Sequence, residues 1–185
     1  MQMHEMIGKV FSVSKKGTHE FSKEIQEKIE LITMHGVEGD AHAGKYVKHR
    51  SRVMKDPTQL NIRQVHLIAS ELFEELYQYG YSVKPGDLGE NITTKGIDLI
   101  NLPKYTQLKI GGSVVLEVTG LRNPCRQIED FGSGLLKKMI SKDAQGNLVR
   151  KTGIMTIVKF GGFVSVSDNI EVLLPKKPFV NLDIV

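Results

Sequence analysis

The stretch QLKIGGSVVLEVT, residues 107–119, decides the fold. Two runs of β-favouring residues, 107–110 and 113–119, flank the pair Gly111-Gly112. These glycines can supply the positive φ angles that a tight turn requires. The stretch therefore predicts an antiparallel hairpin, and the other strand signals extend from it in both directions along the chain.

Runs of β-favouring residues on both sides of the hairpin predict further strands at residues 9–14, 28–34, 154–160, 163–166 and 169–174. We expect Phe11 and Val13 to share one face of the first of these strands. The pairs Gly161-Gly162 and Ser167-Asp168 separate the last three strands, and glycines at such breaks suit a sheet that bends or closes.

Helix signals are fewer. Residues 71–79 predict a helix with Ser70 as its N-cap and Gly80 as its C-terminal stop. Its core-facing stripe comprises Leu72, Phe73, Leu76 and Tyr77. A shorter helix is predicted over residues 135–140. The fold class is therefore mainly β (α+β), a closed or nearly closed mixed β-barrel with a few peripheral helices.

Length and composition indicate one domain over residues 1–185, with tails at 1–6 and 175–185. No apolar run is long enough to cross a membrane, so we expect no membrane partner. A lone cysteine and no secretory signal favour the cytoplasm. The net charge of +4 suits an anionic ligand or a solvated surface, and residues 45–52 are a candidate phosphate-facing loop. Aromatic residues are only 6% and tryptophan is absent, so nucleic acid is not expected.

Cys125 is the only cysteine, and it follows Pro124 between Arg122 and Arg126. It can form neither an intramolecular disulfide nor a CxxC pair. Nearby cations favour the thiolate, which can attack an electrophile, carry sulfur or bind a soft metal. The alternative is an inert core cysteine, because free cysteine is among the most buried residue types.

The glycine-rich loop 36–44 carries Glu38, Asp40 and His42 at alternate positions. In an extended conformation these three side chains would share a face and could bind a metal, with His35 as a fourth ligand. The loop could also bind an anion through its N–H groups, or be a polar turn in which Asp40 caps its own loop.

Two further segments are candidates for ligand binding. The loop 85–92 could hold a polar heterocycle through Asn91 and carboxylates such as Glu90, although Pro-Gly-Asp also suits an ordinary turn. In residues 61–66, Arg63 could bind a phosphate or be a surface arginine. For His66 we favour a hydrogen-bonded histidine between apolar neighbours.

These segments occur in an order that resembles the MOSC domain family, named for the C-terminal domain of molybdenum cofactor sulfurases. The resemblance covers residues 29–172 and rests on GVEGDAH at 36–42, RQV at 63–65, GDLGEN at 86–91 and RNPC at 122–125, followed by Arg150-x-x-Gly153 and Gly161-Gly162. The chain is similar to small stand-alone bacterial members. It departs from the family at two turns, where Tyr105-Thr106 and Ser167-Asp168 replace Gly-Asp, so we expect altered loops there.

The resemblance implies a β-barrel that binds the molybdenum cofactor, a pterin whose dithiolene sulfurs hold the metal and which carries a phosphate. It implies that Cys125 ligates molybdenum or carries transferable sulfur. It implies pterin or metal-oxo recognition by Glu90 and Asn91, and phosphate binding or thiolate stabilisation by Arg63 and Arg122. Asp40 and His42 would line the pocket.

The sequence leaves three functions open. The first is reduction of N-hydroxylated compounds at molybdenum held by Cys125, with electrons from an external reductase. The second is a sulfur carrier or cofactor-handling protein that works with a cysteine desulfurase, whose pyridoxal phosphate is not expected on this chain. The third is a different metal or interaction module built on Asp40 and His42, with Cys125 incidental.

Overall fold

The computed structural model describes residues 6–47, 54 and 56–185. The strands are β1 Met6–Lys15, β2 Glu24–Gln26, β3 Lys28–Ile32, β4 Gly36–Val37, β5 Val65–Ala69, β6 Ile92–Lys95, β7 Gln107–Ile110, β8 Val114–Leu121, β9 Ile140–Lys142, β10 Leu148–Arg150, β11 Ile154–Phe160, β12 Gly162–Ser165 and β13 Asn169–Leu173. The helices are α1 Glu71–Gln78, α2 Arg126–Phe131 and α3 Leu135–Lys138, with a 3-10 turn at Leu99–Asn101. The candidate loop 45–52 lies largely outside the described residues.

The main sheet closes into a barrel. Its order is β13–β7–β8–β11–β5–β6–β1, and β1 pairs back with β13. Within this ring only β5 and β6 are parallel, so the barrel is mixed, as the sequence predicts. Strand β2 lies beside β1, while β12–β3–β4 and β9–β10 form small separate sheets. Closure leaves the barrel's own strands without free edges.

Two hydrophobic cores support the fold. The first fills the barrel with branched aliphatic side chains such as Leu67, Leu116 and Val158, all fully buried. The second contains Leu76, Ile128 and other side chains from the three helices and neighbouring segments. The barrel carries the strands that bear the site, and the second core anchors the helical segment that follows β8.

The predicted hairpin is confirmed. Strands β7 and β8 pair in an antiparallel register that places Ile110 opposite Val114. Of the two turn glycines only Gly111 has a positive φ, at +56°. The predicted face of β1 is wrong, because Phe11 is 46% exposed whereas Val13 is fully buried. A bulge between Val10 and Ser12 shifts the alternation by one residue.

Helix α1 ends close to its predicted limit, before Gly80 with φ +86°. Two details of its prediction are wrong. Ser70 makes no capping hydrogen bond from its side chain, because its backbone is already helical. Tyr77 is 74% exposed, because the buried stripe is narrower than expected and contains only Leu72, Phe73 and Leu76. In the described ranges, none of the helices combines the length and apolar character needed to span a membrane.

The two turns that depart from the family pattern keep a glycine-like backbone. Tyr105 has φ +71° and Ser167 has φ +73°, in the left-handed region that side chains disfavour. Both turns are held by the barrel, since Tyr105 N–H donates to Val118 O and Ser167 N–H donates to Val10 O. These turns therefore hold non-glycine residues in a backbone conformation that glycine favours.

Substitutions at Gly153 and Gly146 can show how closely the segment before β11 approaches the barrel. Both have positive φ, +81° and +85°, but a Cβ at Gly153 would collide with the Leu67 carbonyl oxygen, whereas Gly146 faces open space. We predict that Gly146→Ala lowers the free energy of unfolding by about 1 kcal/mol, from backbone strain alone. Gly153→Ala should cost about 3 kcal/mol because it adds a steric clash. Urea unfolding measures both, and equal losses would contradict the close approach.

Candidate functional site

A cavity of about 420 Å³ brings together residues that are far apart in the sequence. Five of the seven predicted site residues line it: His42, Arg63, Asn91, Arg122 and Cys125. Asp40 and Glu90 are buried, and neither is among the lining residues. The cavity is of ordinary size for a small-molecule or cofactor site.

Cys125 lies between β8 and α2, at the N-cap position of the helix. Its backbone is extended, and its carbonyl accepts the first hydrogen bond of the turn, from Ile128 N–H. Its side chain is half-buried and packs against the second core. Cys125 also lines the cavity, so its side chain lies between the second core and the space that a ligand could enter.

Arg122 holds its guanidinium beside the thiol, with Nη2 3.8 Å from Cys125 Sγ. The main chain at Arg122 is fixed on both sides, because its N–H donates to Gly153 O and its carbonyl accepts from Thr152 Oγ1. The guanidinium also lies 5.7 Å from the centre of the Phe21 ring. Burial lowers the pKa of Arg122, although the charges of Cys125 and Glu90 oppose that shift.

One atom of Arg122 is left without a partner. The residue is only 8% exposed, and Nη1 has no hydrogen-bond acceptor among the described residues. A buried donor without an acceptor is costly. In a residue that lines a cavity, such a donor marks a place where a ligand atom can bind.

Asn91 ties the site to the barrel. Its Nδ2 donates to Ser14 O and to Asp40 Oδ2, and its Oδ1 accepts from His66 N–H. The side-chain amide therefore joins β1, the loop 36–44 and β5, and each of its two polar atoms has a protein partner. In this arrangement Asn91 positions the cavity wall more than it offers groups to a ligand.

Asp40 forms a buried ion pair with Lys23, at 2.7 Å between Oδ2 and Nζ. Its Oδ1 accepts from the His42 N–H at 2.9 Å. Burial alone would favour the neutral acid, but the hydrogen bond with the His42 side chain and the charge of Lys23 outweigh it. The pKa of Asp40 therefore lies well below its usual range.

The expected shared face of Glu38, Asp40 and His42 is wrong. The chain turns at Gly39, which has φ +76°, so Glu38 is exposed while Asp40 is buried. The carboxylate of Asp40 is already paired with a lysine, which a metal site would have to displace. Among the described residues, no group of three histidine, cysteine or acidic side chains could hold a metal ion.

Glu90 lies outside the cavity wall and is fully buried. Its Oε1 accepts from Gly86 N–H at 2.6 Å and from Thr93 Oγ1 at 3.1 Å, so it holds the 86–90 loop closed. Burial raises the pKa of Glu90, against these hydrogen bonds and the charge of Arg122. The geometry gives Glu90 a positioning role rather than a direct contact with a ligand.

Sequence reasoning missed several residues of the cavity wall, including Phe21, Lys23, Gln64 and Met155. The glycines of the 86–91 loop carried a signal for two of them. A Cβ at Gly89 would lie 2.6 Å from the Phe21 carbonyl oxygen, and one at Gly86 would meet that of Lys23. These glycines allow residues 21–23 to pack directly against the loop. Gly86 and Gly89 were therefore the sequence features that indicated a segment packed closely against this loop.

His66 has the hydrogen bond that the sequence predicts, with Nε2 2.7 Å from Thr152 O. It nevertheless also lines the cavity. Burial lowers its pKa well below the ordinary value, and the charge of Arg122 acts in the same direction. His66 is therefore a neutral, fixed part of the wall near neutral pH.

The wall combines one thiol with several cations. Lys23, Arg63 and Arg122 line the same cavity as Cys125. A thiolate next to cations is a good nucleophile and a ligand for soft metals. The cations also favour an anionic or oxygen-rich ligand over a neutral apolar one.

Comparison with known proteins agrees with this architecture. The sequence matches the model of the family described as MOSC domain over residues 39–171, more than two thirds of the chain. No curated protein matches it.

Crystal structures with a similar fold include the following three. YuaD protein from Bacillus subtilis is 23% identical, with a TM-score of 0.76 over 95% of this chain and 100% of that one. YiiM from Escherichia coli is 18% identical, with a TM-score of 0.61 over 97% and 74% of the two chains. YiiM from Geobacillus stearothermophilus is 16% identical, with a TM-score of 0.64 over 93% and 77%.

The buried ion pair generates a stability prediction. Asp40→Asn leaves the Lys23 ammonium without its counter-charge and should lower the free energy of unfolding near neutral pH by about 3 kcal/mol. Adding Lys23→Met removes the unpaired charge, so the double variant should be more stable than Asp40→Asn alone. Urea unfolding of the unmodified protein, Asp40→Asn, Lys23→Met and the double variant measures the coupling. If the losses of the two single variants simply add, the pair is not coupled as described.

The same pair sets a pH dependence. Because folding lowers the pKa of Asp40, its contribution is fully present above its unfolded pKa, about 4, and is lost as pH falls through the lower folded value. The stability advantage of the unmodified protein over Asp40→Asn should therefore shrink below about pH 4. Urea unfolding of both proteins across this pH range measures the advantage, and one that stays constant or grows on acidification contradicts a lowered pKa for Asp40.

Proposed function

The chain belongs to the MOSC domain family, and from this premise we propose that it binds the molybdenum cofactor in the 420 Å³ cavity, with Cys125 as a ligand of the metal. The family is associated with that cofactor. The observation that carries the proposal is the half-buried thiol of Cys125 in a cavity whose wall also bears Arg122 Nη1, a buried donor lacking a hydrogen-bond acceptor in the described residues.

The residues present fit such a group. A thiolate is a soft ligand, suited to a metal already held by sulfur. Lys23, Arg63 and Arg122 provide the positive charge that a phosphate-bearing cofactor needs. The apolar side chains of Phe21 and Met155 line the same cavity and can pack against a planar ring system. Cavity volume, donor set and charge therefore agree.

We propose that the reaction is the reduction of N-hydroxylated compounds such as amidoximes. When bound, the cofactor supplies a two-electron redox centre. The chain's own residues would hold it through Cys125, bind its anionic group with the wall cations, and keep substrate oxygen near donors such as Arg122 Nη1. The chain's single cysteine cannot form a CxxC cluster motif, so the electrons would come from an external reductase.

The half-buried position of Cys125 favours this reaction over sulfur transfer. A sulfur carrier must present its thiol to the active site of a desulfurase, whereas this sulfur lies in a cavity with Arg122 and Gln127 within 3.8 Å. We also propose a cytoplasmic location, where the single thiol stays reduced.

Metal content tests the proposal. Protein purified from a host that makes the molybdenum cofactor should contain molybdenum close to stoichiometric with the chain. Cys125→Ser should lose it, because an alcohol is a poor ligand for a soft metal site. Arg126→Ser is the matched control, since Arg126 is the next residue but its side chain is 92% exposed, and it should keep the metal.

The contrary result is also informative. If the unmodified protein contains no molybdenum under conditions that load a known molybdoenzyme, the cofactor proposal is wrong. Intact-protein mass spectrometry after incubation with a cysteine desulfurase and cysteine then tests the sulfur carrier, which would gain a sulfur atom on Cys125.

A further inference from the structure

Lys23 is a buried lysine on the cavity wall that no motif pointed to. It precedes the residues that match the family, and its side chain is only 4% exposed. Segment 21–23 is pressed against the 86–90 loop, where Lys23 N–H donates to Gly86 O and Ser22 Oγ donates to Asp87 O. These hydrogen bonds fix the main chain of Lys23 and so limit the positions that its ammonium group can take.

The ammonium group of Lys23 is incompletely paired. It carries three N–H donors, and within the described chain its one partner is Asp40 Oδ2, at 2.7 Å. The other two donors have no acceptor there, although Lys23 lines the cavity. Leaving donors of a buried cation unused is costly. The wall therefore offers a cation with free N–H groups to whatever oxygen enters the cavity.

The charged groups around Lys23 come from several segments. Asp40 lies on the loop 36–44, Glu90 on the loop before β6 and Arg122 after β8. His66 on β5 is influenced by Lys23, and His42 contacts Asp40. Burial lowers the pKa of Lys23, while Asp40 and Glu90 act to raise it and Arg122 acts to lower it. Asp40 thus keeps the ammonium charged in a place that disfavours charge.

We propose that Lys23 is the proton donor for cleavage of the N–O bond in this cavity, an inference that rests on the reductase function proposed above. For an amidoxime the balance is R–C(NH2)=N–OH + 2 e⁻ + 2 H⁺ → R–C(NH2)=NH + H2O. The N–O bond breaks, nitrogen is reduced, and the oxygen leaves as water. The external reductase supplies both electrons, Lys23 gives one proton to the departing oxygen, and solvent supplies the other proton and then reprotonates Lys23.

Other titratable groups of the cavity are less suited to this step. His19, Glu20 and His42 also line it, but all three are more exposed to solvent than Lys23. An arginine does not release its proton at working pH, which excludes Arg63 and Arg122. His66 has Nε2 held against Thr152 O and is neutral, and Glu90 does not line the cavity. Cys125 is assigned to the metal. Lys23 is the buried wall residue that combines a proton, free N–H groups and a fixed position.

The experiment uses cofactor-loaded protein, with reduced methyl viologen as electron donor and benzamidoxime as substrate. Lys23→Met keeps most of the length of the side chain but has no proton to give, so kcat should fall by about 10²- to 10⁴-fold. Thermal unfolding of the same samples should show a loss of stability, because Asp40 is left without its counter-charge. Molybdenum content is measured as well, and kcat is calculated per bound molybdenum. Lys84→Met is the control, because Lys84 is exposed on the adjoining loop and should leave all three quantities unchanged.

The pH profile separates proton donation from a structural effect. In the unmodified protein kcat should fall as pH rises through the pKa of Lys23, because the acid form is lost. Asp40→Asn removes a group that raises this pKa, so the decline should move to lower pH. NMR titration of the Lys23 side chain in cofactor-free protein should show the same pKa order without any turnover. This readout remains available if Lys23→Met does not fold.

The outcomes are distinguishable. Loss of kcat per bound molybdenum, together with matching kinetic and NMR titrations, supports the inference. An active Lys23→Met with an unchanged profile, or a kcat that is constant while Lys23 titrates, overturns the inference and leaves the reductase function intact. Molybdenum-loaded unmodified protein that fails to reduce benzamidoxime and other N-hydroxylated compounds overturns the reductase function, and the inference with it.

Discussion

The structure of the site depends on the buried contact between Asp40, Lys23 and Asn91. A carboxylate inside a protein is tolerated only when it is paired and hydrogen-bonded. Asp40 has both, from the Lys23 ammonium at 2.7 Å and from Asn91 Nδ2 at 3.0 Å. Because Asn91 also binds β1 and β5, the network fixes the loop 36–44 to the barrel. Buried networks of this kind define one arrangement of the groups around them.

On the side of the cavity that carries Cys125, main-chain contacts and packing position the side chains, rather than a buried polar network. Cys125 and Arg122 lie on a connection between β8 and α2, where side-chain position depends on how the main chain is held. Arg122 N–H donates to Gly153 O, and the second core packs against Cys125. Gly153 makes this possible because a side chain there would collide with β5. The polar network and the glycine-dependent packing thus bring two distant segments to one cavity.

Local sequence patterns predicted the barrel well but predicted individual side chains unevenly. The β7–β8 hairpin follows from two β-favouring runs around glycines, and it forms as predicted except that its turn contains three residues, since Ile110 pairs with Val114. The exposure of Phe11 could not be predicted from the sequence, because the bulge between Val10 and Ser12 depends on pairing with β6. The loop motifs located most of the cavity wall, but Lys23 was missed because a single lysine in a polar stretch carries no local sign of burial. Its position depends on packing against Gly86, a contact between segments far apart in the chain.

The central claim is that Cys125 faces the cavity as a metal ligand and not as an inert thiol. X-ray absorption at the molybdenum edge of the cofactor-loaded protein tests it most directly, because it counts the sulfur atoms bound to the metal. With Cys125 as a ligand, the metal should have one sulfur neighbour more than the cofactor's own dithiolene supplies. A molybdenum centre bound by the dithiolene sulfurs alone, in protein with Cys125 intact and reduced, would contradict the claim.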